Sequence, residues 1–129
     1  MILPLRHRTA WLAAVAVLVA GIATGSLAPA TTVTSIGVWD KLQHASAYFV
    51  LTAMLVGIVE RRAYPLAGVG ALLFGGLIEV AQGTLTTTRV MDWHDLVANS
   101  TGIVAALGSA YLGLGGWALW VESRLLRIR

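Results

Sequence analysis

The sequence predicts an all-α membrane protein, a single membrane domain of residues 1–129 built as a four-transmembrane-helix bundle with both termini cytoplasmic. Three observations lead there. Of the 129 residues, 57% are hydrophobic and only 12% charged, with mean hydropathy +0.79, whereas an average soluble domain carries roughly 25% charged residues. The apolar residues come in runs close to the roughly 20 needed to cross a bilayer. Basic residues gather at alternate ends of those runs, so the chain has a readable orientation. The absence of Cys removes disulfides, thiolate ligands and Cys nucleophiles together, and leaves the redox compartment open. A net charge of +3 does not make this a nucleic-acid binder, because no basic stripe with interleaved aromatics is present.

The first span runs from about residue 10 to 28, behind the basic lead MILPLRHR. Ala28-Pro29-Ala30 has the small-residue arrangement of a signal-peptide cleavage site, but the apolar run is longer than a usual signal core, so an uncleaved helix is the simpler expectation. A polar, β-branched stretch, PATTVTSIGV, follows as a loop. The second span covers about 42–59, between Trp39-Asp40-Lys41 and Glu60-Arg61-Arg62. The third covers about 64–82, with Pro65 tolerated in its first turn and GTLTTT closing it. The fourth covers about 96–121. Gly113, Gly115 and Gly116 interrupt it, leaving WALWVESRLLRIR as an alternative short amphipathic segment at the inner interface.

Orientation follows from the basic residues. With both ends inside, Arg6, Arg8, Arg61, Arg62, Arg124, Arg127 and Arg129 are cytoplasmic and only Lys41 and Arg89 lie outside. Trp39 and Trp93 then mark the outer interface, and Trp11, Tyr64, Trp117 and Trp120 the inner one. On this topology the scarce polar residues share the outer membrane level: Asp40, Lys41, His44 and Tyr48; Glu79 and Gln82; Arg89, Asp92, His94, Asp95 and Asn99.

Each group has a plain structural reading beside a functional one. Asp40, His44 and Tyr48 recur every four residues and form a stripe descending one helix; singly, they read as a cap, a ring bonded to a backbone carbonyl and a packed aromatic. Glu79 is the most telling, because a carboxylate one turn inside the membrane costs roughly 2.5 kcal/mol or more. It shares a face with Leu72, Gly75, Gly76 and Gln82, narrow enough for close packing, and so is expected to point into the bundle. The alternative is that Glu79 is neutral, or paired structurally with Lys41 or Arg89, and merely holds helices together. Asp92 reads as an N-cap and Asp95 as a first-turn acid favoured by the helix dipole, which accounts for neither Asn99 nor Arg89. His94 lies off that face and reads as interfacial. Gly102, Ala106, Ser109, Ala110 and Gly113 read as a packing seam.

Glycine-rich phosphate loops, H-E-x-x-H and G-x-S-x-G are absent. The chemistry left is an acid-rich site in which His44, Glu79, Asp92 and Asp95 are the catalytic candidates, and Asp40, Lys41, Tyr48, Gln82, Arg89 and Asn99 the substrate-binding ones. Oxygen ligands with one imidazole suit Mg²⁺, Ca²⁺, Mn²⁺ or Zn²⁺. A divalent metal is therefore open, and no other cofactor is indicated.

These residues, as D-K-x-x-H-x-x-x-Y, E-x-x-Q and R-x-x-D-x-x-D-x-x-x-N-x-x-G in that order, resemble the VanZ-like family of small bacterial membrane proteins over about residues 40–113. The first span and the Arg-rich tail fall outside the resemblance. It implies a multi-pass protein of the bacterial cytoplasmic membrane, in a family whose namesake is linked to resistance to the glycopeptide teicoplanin, and it implies no mechanism. The leading expectation is a site at the outer face that binds or modifies the polar head of a cell-envelope lipid or glycan precursor. The competing one is a non-catalytic scaffold or interaction protein whose polar cluster locks the helices together. A transporter would need polar residues through the midplane, which the spans lack.

Overall fold

A computed structural model describes residues 1–29 and 38–124, and the described residues are helical apart from short connections. The helices are α1 (Arg8–Leu27), α2 (Val38–Ile58), α3 (Tyr64–Leu85), α4 (Trp93–Ser109) and α5 (Trp117–Arg124). Most of the expected loop after α1, the end of the Ala28-Pro29-Ala30 motif and the last five residues of the tail lie outside the described residues.

Among the described residues, three stretches are long and apolar enough to cross a membrane: Arg8–Leu27, Arg61–Leu85 and Trp93–Leu114. α1 is apolar all round and buries none of its residues, which suits a helix surrounded by lipid. α2 is of similar length but carries Asp40, Lys41, Gln43 and His44 in its first two turns, and it is not among the three. It is nonetheless the helix the others are built around, since α4 packs along it more extensively than any other pair of helices packs.

That packing has a visible cause. A Cβ at Gly102 would collide with the Ala45 carbonyl and the Phe49 amide, so α2 and α4 meet backbone to backbone there. Gly102, Ala106 and Ala110 of the expected seam are buried, whereas Ser109 is half-buried and Gly113 is exposed and takes no part in it. On α3 the expected inward face needs correction. Ala71, Gly75, Ile78, Glu79 and Gln82 are buried, whereas Leu72 is 40% exposed and Gly76 only partly covered. A helix turns 100° per residue, and the face centres one residue away from the series that Leu72 and Gly76 suggested.

The helix ends also shift relative to expectation. α4 begins at Trp93, with Asp92 as N-cap accepting from the His94 amide at 2.9 Å. The single span to residue 121 does not form. A π-helical turn, Ala110–Leu114, follows α4, and Gly113 (φ 114°) and Gly116 (φ 67°) adopt the left-handed backbone that ends the run. α5 then packs on the C-terminal end of α2, with the Trp117 indole donating to the Ala53 carbonyl at 2.9 Å and Ala118 fully buried.

Two polar ends result. At one, residues 1–5 run antiparallel to the end of α2, with Leu3 N donating to Ile58 O at 2.9 Å and Glu60 N to Met1 O at 2.8 Å. Glu122 of α5 closes that end by accepting from the Arg6 amide, the His7 amide and the Trp11 indole at 2.7, 2.8 and 2.9 Å. The other end holds Asp40, Lys41, His44, Glu79, Arg89, Asp92, His94 and Asp95.

Candidate functional site

The start of α2, the end of α3 and the start of α4 bring the predicted residues into one cluster. Asp40, His44, Tyr48, Glu79, Gln82, Asp95 and Asn99 are all buried, Asn99 completely. The four-residue spacing puts Asp40, His44 and Tyr48 on one face of α2: His44 meets the i, i+4 pair Asp95 and Asn99 of α4, while Tyr48 lies against Phe74 and Gly75 of α3.

Lys41 joins the two helices. Its ammonium contacts Asp95 Oδ1 and lies 2.9 Å from Asp92 Oδ2 and 3.4 Å from Asp40 Oδ2. His44 sits one turn deeper, with Nδ1 3.1 Å from Asn99 Oδ1, and Nε2 3.6 Å from Asp95 Oδ2 and 4.0 Å from Asp40 Oδ1. It bonds a side chain of another helix, not a neighbouring backbone carbonyl. Asp40, His44 and Asp95 each offer one ligand atom within 4.8 Å of the others and are the residues placed to hold a metal.

Glu79 is not paired as the structural reading supposed. Its Oε2 accepts from the Asp92 amide at 3.1 Å, and its Oε1 has no hydrogen-bond partner among the described residues. The same holds for Tyr48 Oη, Gln82 Oε1 and Asn99 Nδ2. Buried polar atoms are nearly always satisfied. Four such atoms on neighbouring residues of three helices distinguish this cluster from a closed structural network.

Asp92 stands at the rim. Its carboxyl is held well below the usual carboxylate range by the Lys41 ammonium, then by the amide and ring of His94. His94 itself is exposed, stacked beside Trp93 with ring centroids 3.8 Å apart, in keeping with an interfacial residue.

Arg89 and Gln82 do something their sequence did not announce. Gln82 Nε2 donates to Ser26 O at 2.9 Å and Arg89 Nε to Ala28 O at 3.1 Å, so both satisfy carbonyls at the C-terminal end of α1. This brings α1 against the cluster. Between α1 and α2 lies a cavity of about 510 Å³, with Val17, Leu18, Gly21, Ile22 and Gly25 along its apolar side, and Asp40, Gln43, His44, Tyr48, Ser26 and Arg89 at its polar end.

Residues 21, 25, 26 and 43 were not singled out from the sequence. The Gly21 and Gly25 pair at helical spacing was the available signal, and a Cβ at either position would meet open space. α1, expected to be an addition outside the core, is one wall of the site.

The fold and site together define a helical protein with three described stretches long and apolar enough to cross a membrane, and a buried, acid-rich cluster at one end of its bundle. No family model, curated protein or solved structure matches the chain.

Proposed function

We propose that this is a VanZ-like protein of the bacterial cytoplasmic membrane whose site takes the anionic head of a cell-envelope lipid or lipid-linked glycan precursor from the outer leaflet. α2 completes a four-span bundle, since its polar first turns face α4 and the cavity while its remaining length is apolar. The distribution of Lys and Arg sets the cluster at the outer face and both termini inside.

The observation that carries this reading is the two-ended cavity. A lipid presents one polar group on an apolar chain, and here one end of a roughly 510 Å³ space offers Arg89, His44 and Tyr48 while the rest offers valine, leucine, isoleucine and glycine. Arg89 keeps guanidinium N–H groups beyond Nε for a phosphate or carboxylate. The three sequence stretches that carry the VanZ resemblance supply the cluster, which supports the family reading; glycopeptide resistance is the finer part of the proposal. A polar lock also has support, in Lys41 bound to three carboxylates. The unpartnered atoms of Tyr48, Glu79 and Asn99 favour a ligand site beside it.

Native mass spectrometry of the detergent-purified protein with a polyprenyl phosphate is the direct test. One equivalent is expected to bind, in preference to a zwitterionic phospholipid, with at least a tenfold loss in Gly25→Leu, which fills the cavity, and in Arg89→Ala. Equal retention of the polyprenyl phosphate by wild type and both variants, with each variant folded by circular dichroism, would overturn the reading.

A further inference from the structure

We infer that Asp40, His44 and Asp95 form a binding site for one divalent transition-type cation, Zn²⁺ or Mn²⁺, whose fourth coordination position faces the cavity between α1 and α2. The site deepens the proposed function, and only the identity of the fourth ligand rests on that reading.

The first observation is how the carboxylates are divided. Asp40 turns Oδ2 and Asp95 turns Oδ1 toward Lys41. Each keeps its other oxygen, Asp40 Oδ1 and Asp95 Oδ2, turned toward His44 Nε2. The lysine therefore leaves one oxygen of each carboxylate and the imidazole nitrogen grouped around a common point.

The second is the state of the ring. With the Asn99 amide turned so that Oδ1 faces the ring at 3.1 Å, that oxygen accepts and Nδ1 of His44 carries the proton. In the neutral ring Nε2 then presents a lone pair to two carboxylate oxygens, an arrangement that is repulsive unless a cation lies between them. An imidazolium would bring a proton to Nε2, but 3.6 and 4.0 Å are beyond hydrogen-bond reach. They suit metal ligands better: donors about 2.1 Å from a tetrahedral ion lie roughly 3.4 Å apart. An amide that orients a ligating histidine through its other nitrogen is the usual outer-shell arrangement of such sites.

Charge points the same way. Acidic side chains outnumber basic ones at this end of the bundle, where Asp40, Glu79, Asp92 and Asp95 stand with Lys41 and Arg89, and a divalent ion is the natural complement of such a set. The imidazole donor and a four-coordinate arrangement suit Zn²⁺, the two carboxylates also accommodate Mn²⁺, and Mg²⁺ and Ca²⁺ prefer all-oxygen sites. Because Asp40 and His44 both line the cavity, three protein ligands and one open position face the space where an anionic oxygen would enter.

Isothermal titration of the chelator-stripped, lipid-free protein with Zn²⁺ and separately with Mn²⁺ tests this without any assumption about substrate. One equivalent is expected. Affinity should fall at least 100-fold in His44→Ala and Asp95→Asn, about 10- to 100-fold in Asn99→Ala, which only positions the ring, and less than threefold in His94→Ala at the rim. Co²⁺ loaded in place of Zn²⁺ should give visible bands of a four-coordinate site that shift when a polyprenyl phosphate is added. Absence of binding by both metals, or binding that survives His44→Ala and Asp95→Asn unchanged, overturns the site. If either variant fails to fold, the Asn99→Ala affinity and the wild-type Co²⁺ spectrum decide in its place. Metal binding without any lipid response leaves the cation site standing and counts only against the lipid reading.

Discussion

The two polar ends of the bundle use the same residue types to opposite effect. At the end closed by α5, Glu122 accepts three hydrogen bonds and Glu60 takes Arg62 Nε at 2.5 Å and the Met1 amine at 2.8 Å. At the other end, Glu79 is 4% exposed with one oxygen unpartnered, and Asp40 and Asp95 each divide their oxygens between a lysine and a histidine. The difference separates a structural clasp from a site. Carboxylates that stabilise a fold are saturated by nearby donors, whereas carboxylates kept for a ligand retain capacity at a cost in stability.

The sharpest way to break that comparison is Lys41→Ala. Lys41 is the cation shared by Asp40, Asp92 and Asp95, and removing it leaves three carboxylates facing one another in a partly buried setting. A fall in Tm on the order of 10 °C in detergent is expected, since stripping one partner from a desolvated charge pair leaves the other uncompensated. An unchanged Tm would mean that the Lys41 contacts hold nothing together.

Removing charge from one glutamate at each end should give a smaller effect of opposite sign. Glu79→Gln retains an oxygen to accept from the Asp92 amide while relieving a buried group of its charge, so Tm is expected to stay constant or rise by a few degrees. Glu122→Gln places an amide NH₂ against the N–H groups of Arg6, His7 and Trp11, where only acceptors fit, and Tm should fall by a few degrees. Differential scanning fluorimetry of both variants checks this. A Glu79→Gln variant that melts well below wild type would make the site end as structural as the other, and would favour the polar lock.

The gathering of the site residues at one end of the bundle was legible because few polar residues interrupt a highly apolar chain, and helical spacing alone places Asp40 with His44 and Tyr48, and Asp95 with Asn99. What spacing does not carry is the partner across helices. Nothing in the sequence pairs His44 with Asn99, or turns Gln82 and Arg89 from ligand candidates into donors for the end of α1. α1 itself has no polar face to read, being apolar all round, so its role as a cavity wall emerges only in three dimensions. The three glycines after Leu112 signalled an interruption of the last run, but which of them turns the chain depended on the φ angles of Gly113 and Gly116.

The smallest expected effect is the clasp's share of the pH dependence, to which Asp92 at the other end also contributes. Partial burial, the largest single influence on Glu122, pushes its carboxyl up. The His7 and Arg6 amides and the Trp11 indole together outweigh it and hold the group below the ordinary glutamate range. Glu60 is lowered in the same sense by the Met1 amine and Arg62. A carboxyl that is more acidic in the folded state contributes stability above its unfolded value, near 4.3, and that contribution is lost as pH falls through the depressed folded value. Wild-type protein should therefore lose Tm between pH 5 and pH 3, and Glu122→Gln, lacking one of the titrating groups, should lose less over the same interval. Equal acid sensitivity in the two proteins would show that the Glu122 hydrogen bonds contribute no charge-dependent stability.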